Sequence, residues 1–187
     1  MQKAGTILPF RGVWPQIAED AFIAPGAVII GNVKIGSGTS IWCGVIIRGD
    51  VHTVDIGERV NIQDGTVVHV SKGRHPTFIG DEVSIGHCAL IHGCTLESRA
   101  FVGMRATVMD GAVVEGGGMV AAGALVTPNK RVRAGEMWAG SPATCWRQMK
   151  DEEVAHFGTV AGRYHGYSRD YLSDGIGLPP VPAEAAD

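Results

Sequence analysis

From Ile23 to about residue 140 the chain repeats every six residues, and this period constrains the fold more than any other feature. An aliphatic residue recurs at Ile23, Ile29, Ile35, Ile41 and Ile47. The series resumes after one break at Ile56, Ile62 and Val68, and after a second at Ile79, Ile85 and Ile91. It continues through Val102, Val108, Val114, Val120, Val126 and Val132. A period of six fits neither an amphipathic helix nor an alternating strand. It is the signature of a β-solenoid, in which each hexad forms one short strand and one corner. Three hexads make a triangular coil with the aliphatic residue inside, and coils stack at about 4.8 Å. About six such coils form a continuous core in which each coil contacts only its neighbours.

The expected fold is therefore an all-β solenoid. Its resemblance to hexapeptide-repeat proteins makes it a left-handed parallel β-helix, a hand the period itself does not specify. Gly36, Gly57, Gly80, Gly86 and Gly103 each follow an inward aliphatic residue, where a side chain would crowd a corner. Residues 1–140 are read as the solenoid with an N-terminal cap over its first coil. A bare solenoid end would invite strand addition. Three irregularities interrupt the hexads: an insertion of three at Thr53–Asp55, an insertion of five at Arg74–Phe78, and a deficit of one within Glu97–Phe101. Residues 141–173 read as a C-terminal helix packed on the solenoid. Ser141 would be its N-cap and Pro142 its first-turn proline. Residues 174–187 read as a loose tail.

The period also places the histidines. His69 follows Val68 and His92 follows Ile91, and Val68 and Ile91 lie 23 residues apart, one coil of 18 plus the inserted five. The two therefore share a position on one face, one coil apart, with Cβ atoms roughly 5 Å from each other. Arg48 joins this column, because Ile47 and Val68 differ by one coil plus the inserted three. His87 is out of phase on the preceding face. Two histidines fall short of the three protein ligands usual for a catalytic zinc ion. If solenoids packed around a threefold axis, His87 of one chain could complete the pair of the next. On spacing alone, a metal site and a stacked pair of uncomplexed histidines both stand, since His52, His75, His156 and His165 show that the chain uses histidine freely. Arg48-Gly49-Asp50 and Asn61-Ile62-Gln63-Asp64 lie just upstream. They are either polar partners of such a site or ordinary corner residues.

A net charge of −3 gives no electrostatic case for nucleic acid. No apolar run is long enough for a membrane span. Cys43, Cys88, Cys94 and Cys145 form no CxxC pair and fit small thiols in a reducing cytoplasm.

The strings IRGD (47–50), NIQDGTVVH (61–69), IGHCALIHGC (85–94) and VGMRATVMDGAVV (102–114) resemble those of the γ-class carbonic anhydrases and their close bacterial relatives, over roughly residues 12–172. This resemblance implies reversible hydration of carbon dioxide to bicarbonate by a homotrimer with zinc between its subunits. Iron(II) or cobalt(II) would accept the same donors. It implies that His69 and His92 of one subunit and His87 of its neighbour hold the ion. Gln63 would orient the reacting water, and Asn61 would line the pocket. Arg48, Asp50 and Asp64 would hold the interface, and Tyr164, or alternatively Tyr167, would be the helix tyrosine near the metal. Two departures stand out. Val51 occupies a position where well-characterised members carry glutamate, and the loop Ser71–Phe78 has no carboxylate for proton transfer. His75 could take that part, as histidine titrates near neutrality. A hexapeptide-repeat acyltransferase, a thioesterase and a non-catalytic zinc-binding trimer are the competing functions.

Overall fold

The computed structural model describes residues 4–177. The chain winds into a left-handed parallel β-helix of triangular cross-section, closed on one side by a single helix. One wall is an eight-stranded sheet that includes Phe22–Ile23, Ser40–Ile41, Asn61–Ile62, Ser84–Ile85 and Phe101–Val102. The other two walls form one 12-stranded sheet, because the long strands Val28–Ile35 and Ile46–Ile56 continue from one wall to the next. Every aliphatic residue of the six-residue series is buried. Burying one isoleucine stabilises the fold by roughly 1.5–3 kcal/mol, so the interior column supplies most of the driving force. Corner glycines permit the close stacking. A Cβ on Gly86 would lie 2.6 Å from the Met104 amide nitrogen, and one on Gly103 2.5 Å from that of Ala122.

The irregularities fall differently from the sequence expectation in all three places. Val54, Asp55 and Ile56 pair in register with Val33, Lys34 and Ile35, while Gly49 pairs with Gly31. The three extra residues therefore lie in a bulge between Gly49 and Val54, not at Thr53–Asp55. Leu96 is also an inward residue, paired with Ile79 and Val114. The short hexad is thus Ile91 to Leu96, not Glu97–Phe101. The five-residue insertion is a protruding turn closed by an antiparallel bridge between Ser71 and His75, not Arg74–Phe78, because Thr77–Ile79 is a strand in register with Val54–Ile56.

Residues 6–17 cover the first coil. Thr6–Leu8 pairs with Val28–Ile30, and Gln16–Ile17 with Lys34–Ile35. At the other end the helix does not begin at Ser141. Ser141 and Pro142 turn the chain between two antiparallel strands, Glu136–Gly140 and Ala143–Gln148. A Ser-Pro pair serves a turn as well as a helix start, and Thr144 and Trp146 are strand formers. The helix spans Asp151–Ser173, and Glu153 Oε2 accepts the Lys150 N–H at its start. It covers the eight-stranded wall. Phe157 stacks on Phe101 at 4.8 Å, and Tyr164 meets Trp42 edge-on at 5.5 Å. Of the expected tail, residues 178–187 lie outside the described residues. No helix among the described residues is long and apolar enough to cross a membrane. All four cysteines are free thiols.

Candidate metal centre

His69 and His92 end two adjacent strands, Val67–His69 and Leu90–His92, and pair directly in register. The repeat that buries Val68 and Ile91 turns both rings outward on the same wall. His69 Nδ1 lies 3.2 Å from His92 Nε2. The other ring nitrogens are held from outside. His69 Nε2 donates to Asp50 Oδ1 at 3.0 Å, and His92 Nδ1 donates to Asp110 Oδ1 at 2.5 Å. Arg48 pairs with the second oxygen of Asp50, and Ser71 Oγ donates to the second oxygen of Asp110 at 2.5 Å. Burial alone raises the Asp50 carboxyl, but hydrogen bonds from His69 and Arg48 outweigh it and hold it below the ordinary aspartate value. Burial likewise raises Asp110, and hydrogen bonds from Ser71 and His92 pull it down further than burial lifts it.

His87 belongs to a second group. It follows strand Ser84–Ile85 at the corner where the chain leaves the helix-covered wall. Its Nδ1 lies 2.9 Å from Asp64 Oδ2, one rung below. Asn61 and Gln63 sit beside it, buried. Gln63 Nε2 donates to Asn61 Oδ1 at 3.0 Å, and Asn61 Nδ2 donates to Ser84 Oγ at 2.7 Å. Tyr164 faces this group from the helix. Burial first, and then the charge of Asp64, push its phenol above the ordinary tyrosine value. Tyr167 packs on Tyr164 at 5.8 Å and is exposed.

The residues singled out from the sequence thus fall into two sets. Arg48, Asp50, His69 and His92 gather at one place, and Asn61, Gln63, Asp64, His87 and Tyr164 at another. Strand Leu90–His92 runs away from the His87 corner and carries the backbone roughly 10 Å along its wall at about 3.3 Å per residue. Among the described residues, no three His, Cys, Asp or Glu side chains of one chain are grouped to hold a metal ion. Sequence reasoning missed Asp110, Ser71 and Ser84. Asp110 lies 18 residues after His92, one more than the 17 that separate Ile91 from its register partner Val108, so the short hexad hid it. Ser71 and Asp110 are 39 residues apart across the inserted turn, and no spacing signals their meeting.

Each of the three histidines therefore has one ring nitrogen within 3.0 Å of a carboxylate. A carboxylate behind the imidazole is the usual support of a metal-ligating histidine, because it fixes the ring and raises its basicity. The other nitrogens of His69 and His92 converge. Two ligands on a tetrahedral ion at about 2.0–2.1 Å stand about 3.3–3.4 Å apart, close to the spacing seen here.

The repeat family described as bacterial transferase hexapeptide (six repeats) matches residues 15–49. Gamma carbonic anhydrase 1, mitochondrial, of Arabidopsis thaliana is 49% identical over 165 residues, covering 86% of this chain and 60% of that protein. This chain thus spans about three fifths of the length of that relative. A probable carbonic anhydrase of Methanocaldococcus jannaschii is 46% identical over 148 residues, covering 79% of this chain and 92% of its own. A solved structure of a hexapeptide transferase family protein from Anaplasma phagocytophilum is 48% identical, with a TM-score of 0.85, over 89% of this chain and 98% of that one.

Proposed function

We propose that this chain, which belongs to the γ-carbonic anhydrase family, catalyses reversible hydration of carbon dioxide to bicarbonate at a metal ion shared between subunits. The observation that carries this reading is the set of three carboxylate-backed histidines. His69 and His92 would hold the ion from one chain, and His87 of a neighbour would supply the third ligand. His87 cannot reach its own pair, so the site needs a second copy. Three imidazoles suit zinc, and iron(II) or cobalt(II) accept the same set.

The wall that carries His69 and His92 is also the apolar one. In register along its outer surface run Val28, Ile46, Val67 and Leu90. Ile46 and Leu90 are 40% and 37% exposed in the single chain. The first wall is covered by the helix, and the third presents a mixed, more polar row of Gln16, Lys34, Asp55, Phe78, Thr95, Val113 and Arg131. Burying the apolar wall against the His87 corner of another copy joins two different surfaces. Contacts of that type close into a ring when the rotation permits, and a ring of three fits the family resemblance.

When bound, the metal supplies an acidified water, with a pKa of about 7 on zinc. The chain's own residues do the rest. Asp50, Asp110 and Asp64 fix the three imidazoles. One N–H of the Gln63 amide is given to Asn61, and the neutral amide would orient the water without adding charge. Proton export is the sparse step: Val51 is apolar and the inserted turn has no carboxylate, which leaves His75 as that turn's candidate for it. Those absences favour a second reading, a trimer that keeps its metal without turning over. An acyltransferase needs one basic histidine and gives no reason for three backed by carboxylates.

The test is metal content and stopped-flow carbon dioxide hydration for protein purified without oxygen, alongside His92→Ala. The proposal expects metal near one ion per subunit, measurable hydration, and loss of both in the variant. Metal without hydration selects the non-catalytic trimer. Metal retained by His92→Ala contradicts the site.

A further inference from the structure

The inserted turn does more than protrude. Its two ends are tied to both histidines of the pair. At the near end, Ser71 Oγ donates to Asp110 Oδ2, and the same carboxylate accepts His92 Nδ1–H on its other oxygen. At the far end, the buried Thr77 Oγ1 donates to the His69 carbonyl at 2.7 Å and accepts the Gly93 N–H at 3.0 Å. Gly93 N–H also reaches the His69 carbonyl at 3.1 Å. The backbone just after each histidine is therefore clamped by one hydroxyl.

Between these anchors the turn folds back on the site. Ser71 N donates to the His75 carbonyl at 3.0 Å, and the His75 ring lies over Gly111. A Cβ at Gly93 would come within 2.8 Å of His75 Cβ and 2.6 Å of Asp110 Oδ1. A Cβ at Gly111 would come within 3.3 Å of His75 Cε1. Gly93 and Gly111 have φ of 55° and 68°, which favours glycine independently of the crowding. The bare position at Gly93 thus lets the turn lie against the carboxylate that orients His92, whereas Gly111 first of all clears Asn129 Oδ1, the atom nearest to a Cβ there. A surface loop with no role at the site would need neither the clearance nor the two hydroxyl anchors.

We propose that the five-residue insertion is a positioning brace for the metal ligands, in which Ser71 locks Asp110, Asp110 locks the His92 ring, and Thr77 fixes the spacing of the two rungs. This rests on the metal-site reading above. Ser71 touches neither metal nor substrate; it acts through Asp110. Partners of that kind are worth about 10–100-fold in metal affinity.

The experiment is a cobalt(II) titration of the assembled, metal-stripped protein, followed by visible absorption and accompanied by the melting temperature of the metal-free form. Wild type, Ser71→Ala, Ser71→Thr and Asp110→Asn are compared. The brace expects Ser71→Ala and Asp110→Asn to weaken cobalt binding about 10–100-fold, with an altered visible spectrum and an unchanged metal-free melting temperature. Ser71→Thr, which keeps the hydroxyl, restores both affinity and spectrum. Unchanged affinity and spectrum in Ser71→Ala overturn the brace while leaving the metal site standing. A loss matched by a lower metal-free melting temperature, and not restored by threonine, assigns Ser71 to the fold and also overturns it. A wild type that binds no cobalt removes the metal site itself, and the brace with it.

Discussion

His69 Nδ1 and His92 Nε2 face each other at 3.2 Å while the opposite nitrogen of each ring donates to a carboxylate. Two neutral imidazoles in this state would point lone pairs at each other. A cation between them, a proton or a metal ion, removes that repulsion. Asp50 and Asp110 are both held below the ordinary aspartate value and remain charged at neutral pH, which adds to the attraction for a cation. The pair is built to be bridged.

Leu90→Lys is expected to separate assembly from folding. Leu90 is exposed in the single chain and lies in the apolar row with Ile46 and Val67. A lysine there keeps the solenoid intact but places a charge in the proposed interface. Size-exclusion chromatography with light scattering should show a monomer, far-ultraviolet circular dichroism should match wild type, and bound metal should be lost. A trimer that retains its metal would count against the interface.

The legible part of this fold was its interior. Ile62 and Ile85 announce their direction by spacing alone, and the phase of His69 and His92 follows from Val68 and Ile91 without any knowledge of side-chain contacts. Leu96 escaped because its hexad is one residue short, so the deficit was displaced to the next corner. Ser141-Pro142 suits a helix cap and a hairpin turn alike, and only the strand pairing of Thr144 to Ala139 decides between them. The meeting of Asp110 with Ser71 was hidden for another reason. It depends on the path of the inserted turn, which no repeat encodes.

His75→Ala is expected to slow carbon dioxide hydration at low buffer concentration by several-fold or more, with little change at high buffer. General acid–base groups contribute about 10²–10⁴-fold when they carry a proton transfer. Added imidazole should restore the rate, since it supplies the missing base from solution. A rate independent of both the substitution and the buffer would place proton export elsewhere.

Glu153→Gln is expected to destabilise the start of the helix in a pH-dependent way. Hydrogen bonds from Arg147, and then from the Lys150 N–H, lower the Glu153 carboxyl to about 2. A carboxyl depressed in the folded state contributes stability above its unfolded pKa of about 4.3. That contribution is lost as the pH falls toward about 2. Thermal melting should therefore show the variant less stable than wild type at pH 7, with the gap closing between about pH 4 and pH 2. A gap that stays constant across this range would mean that the ion pair adds nothing.

The most direct test of a site shared between copies is metal content in mixed assemblies of His87→Ala and His92→Ala subunits. Each variant alone lacks a ligand at every site and should hold no metal. In a random equal mixture, an interface that joins an intact His87 to an intact His69/His92 pair recurs in about one case in four. The account predicts that elemental analysis recovers about a quarter of the wild-type metal on mixing. A mixture that stays empty, or a His87→Ala protein that binds metal fully by itself, would contradict it.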